Sequence, residues 1–247
     1  MPLSSNTIIH FTKSSQALKG ILQENFKVKY CLEEISLGQE LFYAAPMVSF
    51  CDIPLSEIKE HIGKYGSYGI GLTKEWAIRK KLNPVLYIES NSFLARSIYE
   101  SYMQLNSDEN FKWDLITEIQ KNLVNILRYI KNYEADLKRV NETIRNYRFS
   151  DEREWRYTPS YEECKYMAIH PENYHSESRK KRLNDSIQHI RLDFEPNDIK
   201  YIIIESESEI SDFLEILKKS KGNKYSYNDV ERLMTRILTT EQIKTDF

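Results

Sequence analysis

The chain has 247 residues, of which 40 % are hydrophobic. That share is too high for a disordered chain and allows a substantial core. Lys and Arg number 35 and Asp and Glu number 37, so the net charge of −2 gives no overall attraction to nucleic acid or membrane. No apolar run approaches the roughly 20 residues that a membrane-spanning helix needs, and the first residues lack a signal-peptide pattern.

The three cysteines, Cys31, Cys51 and Cys164, are odd in number and widely spaced. Neither they nor the histidines show metal-ligand spacing, so we predict no metal site. Reduced thiols are typical of reducing compartments. The sequence therefore predicts a cytoplasmic protein without membrane contacts.

The chain begins with a strand that leads directly into a helix. Residues 7–11 are β-prone, and Ser14 or Ser15 is a candidate N-cap for a helix with apolar residues at helical spacing. His10 and Thr12 lie at this junction. We expect the end of the strand to present their polar groups.

Two further strands are predicted at residues 47–51 and 85–88. Between them, the glycines of residues 65–72 permit tight turns or close approach of the backbone to a ligand. Thr73 follows as the predicted N-cap of a helix.

Residues 91–142 are predicted to form a helical insertion. Apolar residues recur there at helical spacing, which indicates a long amphipathic helix at about 113–137. Its apolar face packs on the sheet in one interpretation, and contacts a partner helix or a second copy in the other.

The segment 151–159, with the sequence DEREWRYTP, is too charged for an ordinary core strand and too aromatic for an ordinary loop. Strand alternation would place Glu152, Glu154 and Arg156 on one face. Like charges so close together require a compensating cation, a ligand or water. The segment is therefore either a surface strand with salt bridges or a site that orients a sugar hydroxyl and stabilises a developing cation.

The last third of the chain is predicted to contain two strands and two helices. The four cations at residues 179–182 form either a solvated helix face or a phosphate contact. Residues 187–194 and 199–204 are predicted strands. Helices follow at about 208–220 and 227–238.

These elements together predict an α+β fold in a single domain over residues 1–247. We expect a split, mainly antiparallel sheet of about six strands, with the helical insertion at about 91–142 and a C-terminal helical extension at about 206–247.

Five segments resemble the AbiGi-type abortive-infection proteins of bacterial phage-resistance loci. They are residues 10–12 (HFT), 47–56 (MVSFCDIPLS), 68–77 (YGIGLTKEWA), 83–88 (NPVLYI) and 152–157 (EREWRY). The resemblance extends over about 7–205 and implies defence against phage. That family is usually described as the antitoxin member of a pair, which implies a toxin or another defence protein as partner.

At the level of the fold, the chain also resembles the ADP-ribosyltransferases. The similarity lies in a first strand with His-x-Thr, a second strand with Ser-Phe-Cys and a late strand with Glu-x-Glu. This resemblance implies NAD as a substrate and a protein or nucleic-acid acceptor. It implies an NAD contact for His10 and Thr12, and a place in the nicotinamide pocket for Ser49.

In the same resemblance, Glu154 or Glu152 is the catalytic carboxylate, which stabilises an oxocarbenium-like centre. Arg156 contributes to NAD binding. The pocket aromatic is Tyr68, with Tyr65 and Tyr87 as alternatives.

Each of these residues also has a purely structural interpretation. His10 is then a buried histidine satisfied by a main-chain carbonyl, Thr12 begins a turn or caps the helix, and Ser49 is a small residue in a packed strand. Three functions follow: an ADP-ribosyltransferase-like enzyme, a non-enzymatic antitoxin or regulatory partner of a toxin, and a nucleotide-binding sensor.

Overall fold

The computed structural model describes residues 5–106, 112–138, 143–220 and 224–246. The sequence predicts one domain, and the structure groups the chain into two compact units. Unit 1 comprises Met1–Lys27, Ser49–Leu82 and Arg191–Phe247. Unit 2 comprises Val28–Val48 and Asn83–Ile190.

The strands of the described residues, in chain order, are β1 (Thr7–Thr12), β2 (Phe26–Lys27), β3 (Lys29–Ser36), β4 (Glu40–Cys51), β5 (Tyr68–Thr73), β6 (Asn83–Pro84), β7 (Leu86–Ile88), β8 (Ile130–Asn132), β9 (Ala135–Lys138), β10 (Thr143–Tyr147), β11 (Glu154–Tyr157), β12 (Arg191–Leu192), β13 (Ile199–Ile204) and β14 (Ile237–Thr239).

The α-helices of the described residues are α1 (Ser15–Glu24), α2 (Lys59–Tyr65), α3 (Lys74–Arg79), α4 (Phe93–Asn106), α5 (Glu118–Leu127), α6 (Glu177–Ser186), α7 (Ile210–Lys219), α8 (Tyr227–Met234) and α9 (Thr240–Asp246). Among the described helices, none is both long enough and apolar enough to cross a membrane.

Unit 1 is built on an antiparallel group of strands. β5 pairs with β1 on one side and with β13 on the other, while β14 extends the group in parallel to β13. The predicted helix starts are confirmed, because Ser14 accepts a hydrogen bond from the N–H of Ala17 and Thr73 accepts one from Trp76. At Gly66, φ is +122° and a Cβ would collide with the carbonyl oxygen of Thr12, so this turn requires glycine.

Unit 2 is built around a long hairpin. β3 pairs with β4 in an unbroken antiparallel register from Lys29↔Met47 to Ser36↔Glu40. β11 pairs with β4 and with β6, and β7 pairs in parallel with β8. The core of this unit joins the hairpin to α4, α5 and β8, through Ile35, Leu41, Tyr43, Met47, Ala95, Ile98, Leu127 and Ile130.

The α+β class and the mainly antiparallel pairing are confirmed. The ADP-ribosyltransferase-like arrangement of the sheet stays a prediction. Of the predicted strands, those at residues 7–11 and 199–204 are confirmed almost to the residue. The strand predicted at 187–194 is largely wrong, since only Arg191–Leu192 pairs, with β2.

The predicted long helix at about 113–137 is wrong in its second half. The helix ends at Leu127, and β8 begins three residues later because Ile130–Asn132 pairs with β7. The side-chain amide of Asn132 also bonds both main-chain groups of Ser36, which favours the extended form. Residues 107–111 and 139–142 of the predicted insertion lie outside the described residues.

The C-terminal extension is helical as predicted, with one exception. α7 and α8 match the two predicted helices, but the second ends at Met234. The chain then returns as β14 beside β13 and finishes in α9. Residues 221–223 and 247 of the extension lie outside the described residues.

Candidate functional site

The acidic segment of unit 2 has an unusual local backbone. A 3₁₀ turn at Phe149–Glu152 is followed by Arg153 in the left-handed region, with φ of 46°, before β11 begins. Glu152 and Glu154 are each only 5 % exposed. Lys131 Nζ lies 2.9 Å from Glu152 Oε2 and 2.9 Å from Glu154 Oε2, and donates to both.

Arg156 extends this cluster on the buried face of β11. Its fully buried guanidinium donates through Nε to Glu154 Oε1 and through Nη2 to Glu33 Oε2 at 2.7 Å. Nη1 donates to the main-chain oxygen of Arg128 at 2.8 Å. We call Glu33, Lys131, Glu152, Glu154 and Arg156 the ion network of unit 2.

The ion network holds two cations among three carboxylates. Burial lowers the pKa of Lys131, but the carboxylates of Glu154 and Glu152 outweigh it and the net pKa is raised. The pKa of Arg156 is likewise raised well above its usual value, because Glu154 and Glu33 outweigh the burial of the guanidinium. The sequence left a cation, a ligand or water as the compensating group, and the structure places a cation, Lys131, between the two carboxylates.

The two candidate catalytic carboxylates both accept hydrogen bonds from side chains of unit 2. Both oxygens of Glu152 accept hydrogen bonds, from Lys131 and from the Tyr147 hydroxyl at 3.0 Å. Both oxygens of Glu154 accept from Lys131 or Arg156. A carboxylate held in this way would have to leave a buried cation before it could orient a substrate hydroxyl.

The predicted cofactor residues other than Arg156 lie in unit 1. His10 Nδ1 donates to the main-chain oxygen of Ser49 at 2.8 Å, which confirms a histidine satisfied by a main-chain carbonyl. Burial between Phe26 and Phe50 lowers the pKa of the His10 imidazole and favours the neutral ring.

Thr12 and Tyr68 face each other in the β1–β5 register. The Tyr68 hydroxyl lies 3.1 Å from Glu205 Oε2 and 3.0 Å from Glu209 Oε1. Burial and these two carboxylates raise the pKa of the phenol. The structure therefore brings His10 to Ser49 and Thr12 to Tyr68, whereas Glu152, Glu154 and Arg156 belong to the other unit. The resemblance to ADP-ribosyltransferases implies one NAD site for all of these residues, and that shared site stays a prediction.

A cleft of about 470 Å³ opens in unit 2. Its walls are rich in aromatic side chains, and its floor includes Tyr43, Val124 and Leu127, each no more than 5 % exposed. The cleft is lined by Phe42, Tyr43, Tyr102, Trp113, Val124, Leu127, Arg128, Tyr166, Ala168, Ile169, His170, Asn173, Arg182 and Leu183. Of the basic run at 179–182, Arg182 reaches this cleft.

The ion network supports one wall of the cleft. The last carbonyl groups of a helix lack partners within the helix. In α5, Tyr43 donates to Leu127 O at 2.7 Å and Arg156 donates to Arg128 O at 2.8 Å. A buried cation at this helix end is also favoured by the helix dipole. The charged residues of β11 thus fix the end of α5, from which Leu127 and Arg128 line the cleft.

Two parts of this arrangement, the position of Lys131 and the cleft, have no local sequence pattern that predicts them. Lys131 falls within the predicted amphipathic helix at about 113–137, and that pattern does not predict its approach to the carboxylates 21 and 23 residues later. The cleft collects residues from 42 to 183, and no local pattern joins them. Within the described residues, no group of three or more His, Cys, Asp or Glu side chains is placed to hold a metal.

The fold and the site define an α+β protein whose acidic strand is compensated internally and whose cleft is aromatic and cationic. The sequence model described as "Putative abortive phage resistance protein AbiGi, antitoxin" matches residues 24–205. A similar protein is the "Abortive phage resistance protein AbiGi" of Lactococcus lactis subsp. cremoris, 29 % identical over 220 residues, which cover 82 % of this chain and 88 % of that relative. The chain belongs to the AbiGi family of abortive phage resistance proteins. No solved structure matches it.

We predict that Lys131→Met destabilises the protein by about 3–5 kcal/mol, because it leaves two buried carboxylates without their shared cation. Urea unfolding monitored by circular dichroism measures the loss. Lys219→Met, which breaks an exposed pair with Glu215, should cost less than about 1 kcal/mol. The double variant Lys131→Met/Glu152→Gln should recover part of the stability. An equal, small effect of both lysine substitutions would show that the network contributes little.

Proposed function

We propose that the chain acts in abortive phage resistance as an antitoxin, which restrains a protein toxin through direct contact with the helical surface of unit 2. The family description supports the antitoxin role. A restraining partner needs a surface for the toxin and no chemistry of its own. The observation that carries the proposal is the set of exposed apolar side chains on α4, at Leu115 and on α5.

Several large apolar side chains of α4, α5 and the 3₁₀ turn before α5 are exposed. Phe93 is 86 % exposed, Leu115 71 % and Ile119 82 %. Leu94, Met103 and Ile126 are exposed as well. Exposed apolar side chains that lie next to one another are typical of protein interaction surfaces.

Helix α5 shows how this surface arises. Val124 and Leu127 are buried against unit 2, whereas Ile119 and Ile126, seven residues apart, lie together on an outer face. The helix is thus apolar on two faces, and packing within the unit uses one of them. The two interpretations of the amphipathic pattern, packing and partner binding, apply to different residues of the same helix.

The ADP-ribosyltransferase activity expected from the Glu-x-Glu strand is the alternative. Two carboxylates and a guanidinium do meet at the start of β11, as that chemistry needs. Against it, Lys131 and Arg156 occupy the oxygens of Glu154 that would have to receive the ribose hydroxyl. We therefore place the antitoxin role first.

The apolar surface can be tested by co-expression with the product of the neighbouring gene. We predict that Ile119→Asp/Ile126→Asp abolishes co-purification of the two proteins and relief of growth arrest, because each substitution places a charge in an apolar contact. The matched control is Ile78→Asp, at a residue of α3 that is 67 % exposed. It should leave both readouts unchanged.

Thermal unfolding measurements serve as the control that each of these variants is folded. If the neighbouring gene product is retained by the double variant as well as by the wild-type chain, the outer face of α5 is not the toxin-binding surface. If the wild-type chain neither binds the neighbouring gene product nor relieves growth arrest, the antitoxin proposal is wrong.

Incubation with labelled NAD separates the two functions. With purified protein and lysate of infected cells, we expect no label transfer and no NAD loss, because the carboxylates of the ion network are already engaged. Transfer that depends on Glu154, absent in a folded Glu154→Gln variant, would establish the enzymatic alternative instead.

A further inference from the structure

Arg128 is a buried cation that lacks an anion. Its side chain lines the cleft and the residue is 1 % exposed. Its guanidinium donates to two neutral acceptors, the main-chain oxygen of Pro159 at 2.9 Å and the side-chain oxygen of Asn125. In the part of the chain that the structure describes, Nε has no hydrogen-bond partner and no carboxylate pairs with the group. Arginine stays protonated in proteins, so this charge is uncompensated.

An uncompensated buried charge is costly, and proteins normally pair it. Unit 2 does so for Arg156, which faces Glu154 and Glu33. The contrast between two buried arginines of one unit is informative. The charge of Arg156 is neutralised by carboxylates of unit 2. The charge of Arg128 lies at the cleft, where a bound anion would neutralise it.

The other side chains that line the cleft are basic or aromatic in several places, which suits an anion that also contains a planar ring. Among the described residues, no carboxylate lines the cleft, and Arg182 and His170 add two basic groups at exposed positions. His170 has Glu172 as a neighbour, at 3.9 Å. Trp113 and Tyr166 contribute aromatic surfaces that are partly or largely exposed. Aromatic side chains beside cations are the means by which proteins bind bases and phosphates.

From this combination we infer that the cleft of unit 2 binds a nucleoside phosphate, with the base among the aromatic side chains and the phosphate at Arg128 and Arg182. The volume of about 470 Å³ lies in the range of sites for small molecules. An acidic, aromatic peptide of a partner has related chemistry. We infer the small ligand, because the arginine is buried and the cleft has the volume of a small-molecule site.

This inference goes beyond the antitoxin role and does not depend on it. Ligand binding concerns the cleft, and toxin binding concerns the outer face of α5. The experiment below uses the purified chain alone, so its outcome does not depend on whether a toxin binds.

The test is calorimetric titration of the full chain with ATP, AMP, adenosine and inorganic phosphate. ATP or AMP should bind with a dissociation constant below about 1 mM, and more tightly than adenosine or phosphate alone. Arg182→Ala should weaken nucleotide binding about tenfold or more, since it removes a charged hydrogen-bond donor. The matched control, Lys181→Ala on the same helix but outside the cleft lining, should stay within about twofold.

Arg128→Gln tests the buried arginine of the cleft lining, and the thermal unfolding curve of this variant shows whether it is folded. A folded variant should lose nucleotide binding about tenfold or more. If Arg128→Gln does not fold, the comparison of Arg182→Ala with Lys181→Ala decides the matter alone. The inference is overturned if neither ATP nor AMP binds, if both arginine variants bind as the wild type does, or if a Glu- and Tyr-containing peptide binds where the nucleotides do not.

Discussion

The structure of unit 2 depends on the two hydrogen bonds that Lys131 donates to Glu152 and Glu154. Without this cation, the unit would bury two carboxylates side by side, which is among the costliest arrangements in a protein interior. With it, β8 is joined to the start of β11. Arg156 then links β11 to Glu33 of β3 and to the end of α5. One buried network thus fixes the positions of four elements.

This constraint changes how the acidic strand is understood. A carboxylate pair beside an arginine has the composition of a catalytic site. In this protein the two carboxylates are buried and form ion pairs with Lys131 and Arg156. Perturbed ionisable groups occur in both settings, and geometry distinguishes them. The two functions that we propose lie elsewhere in the unit, at the outer face of α5 and in the cleft around Arg128. The chain belongs to the AbiGi family of abortive phage resistance proteins, so we expect both features to serve phage defence.

The sequence predicted the parts of the fold that local patterns determine. Residues 7–11 and 199–204, and the helix starts at Ser14 and Thr73, follow from β-propensity and capping. Hairpin β3–β4 was predicted only at its end, because Lys29–Ser36 mixes charged and apolar residues and is a strand chiefly through its pairing with β4. The approach of Lys131 to Glu154, and the isolation of Arg128 from any carboxylate of the described chain, arise only when distant segments are brought together.

Amide hydrogen exchange of an Arg156→Lys variant tests the central role of the network most directly. This substitution keeps the charge and removes the planar guanidinium that reaches two carboxylates and a helix end. We predict faster exchange at residues 127–132 and 154–157, with exchange in α7 of unit 1 unchanged, as measured by mass spectrometry. Exchange at those two segments equal to that of the wild type would contradict the account.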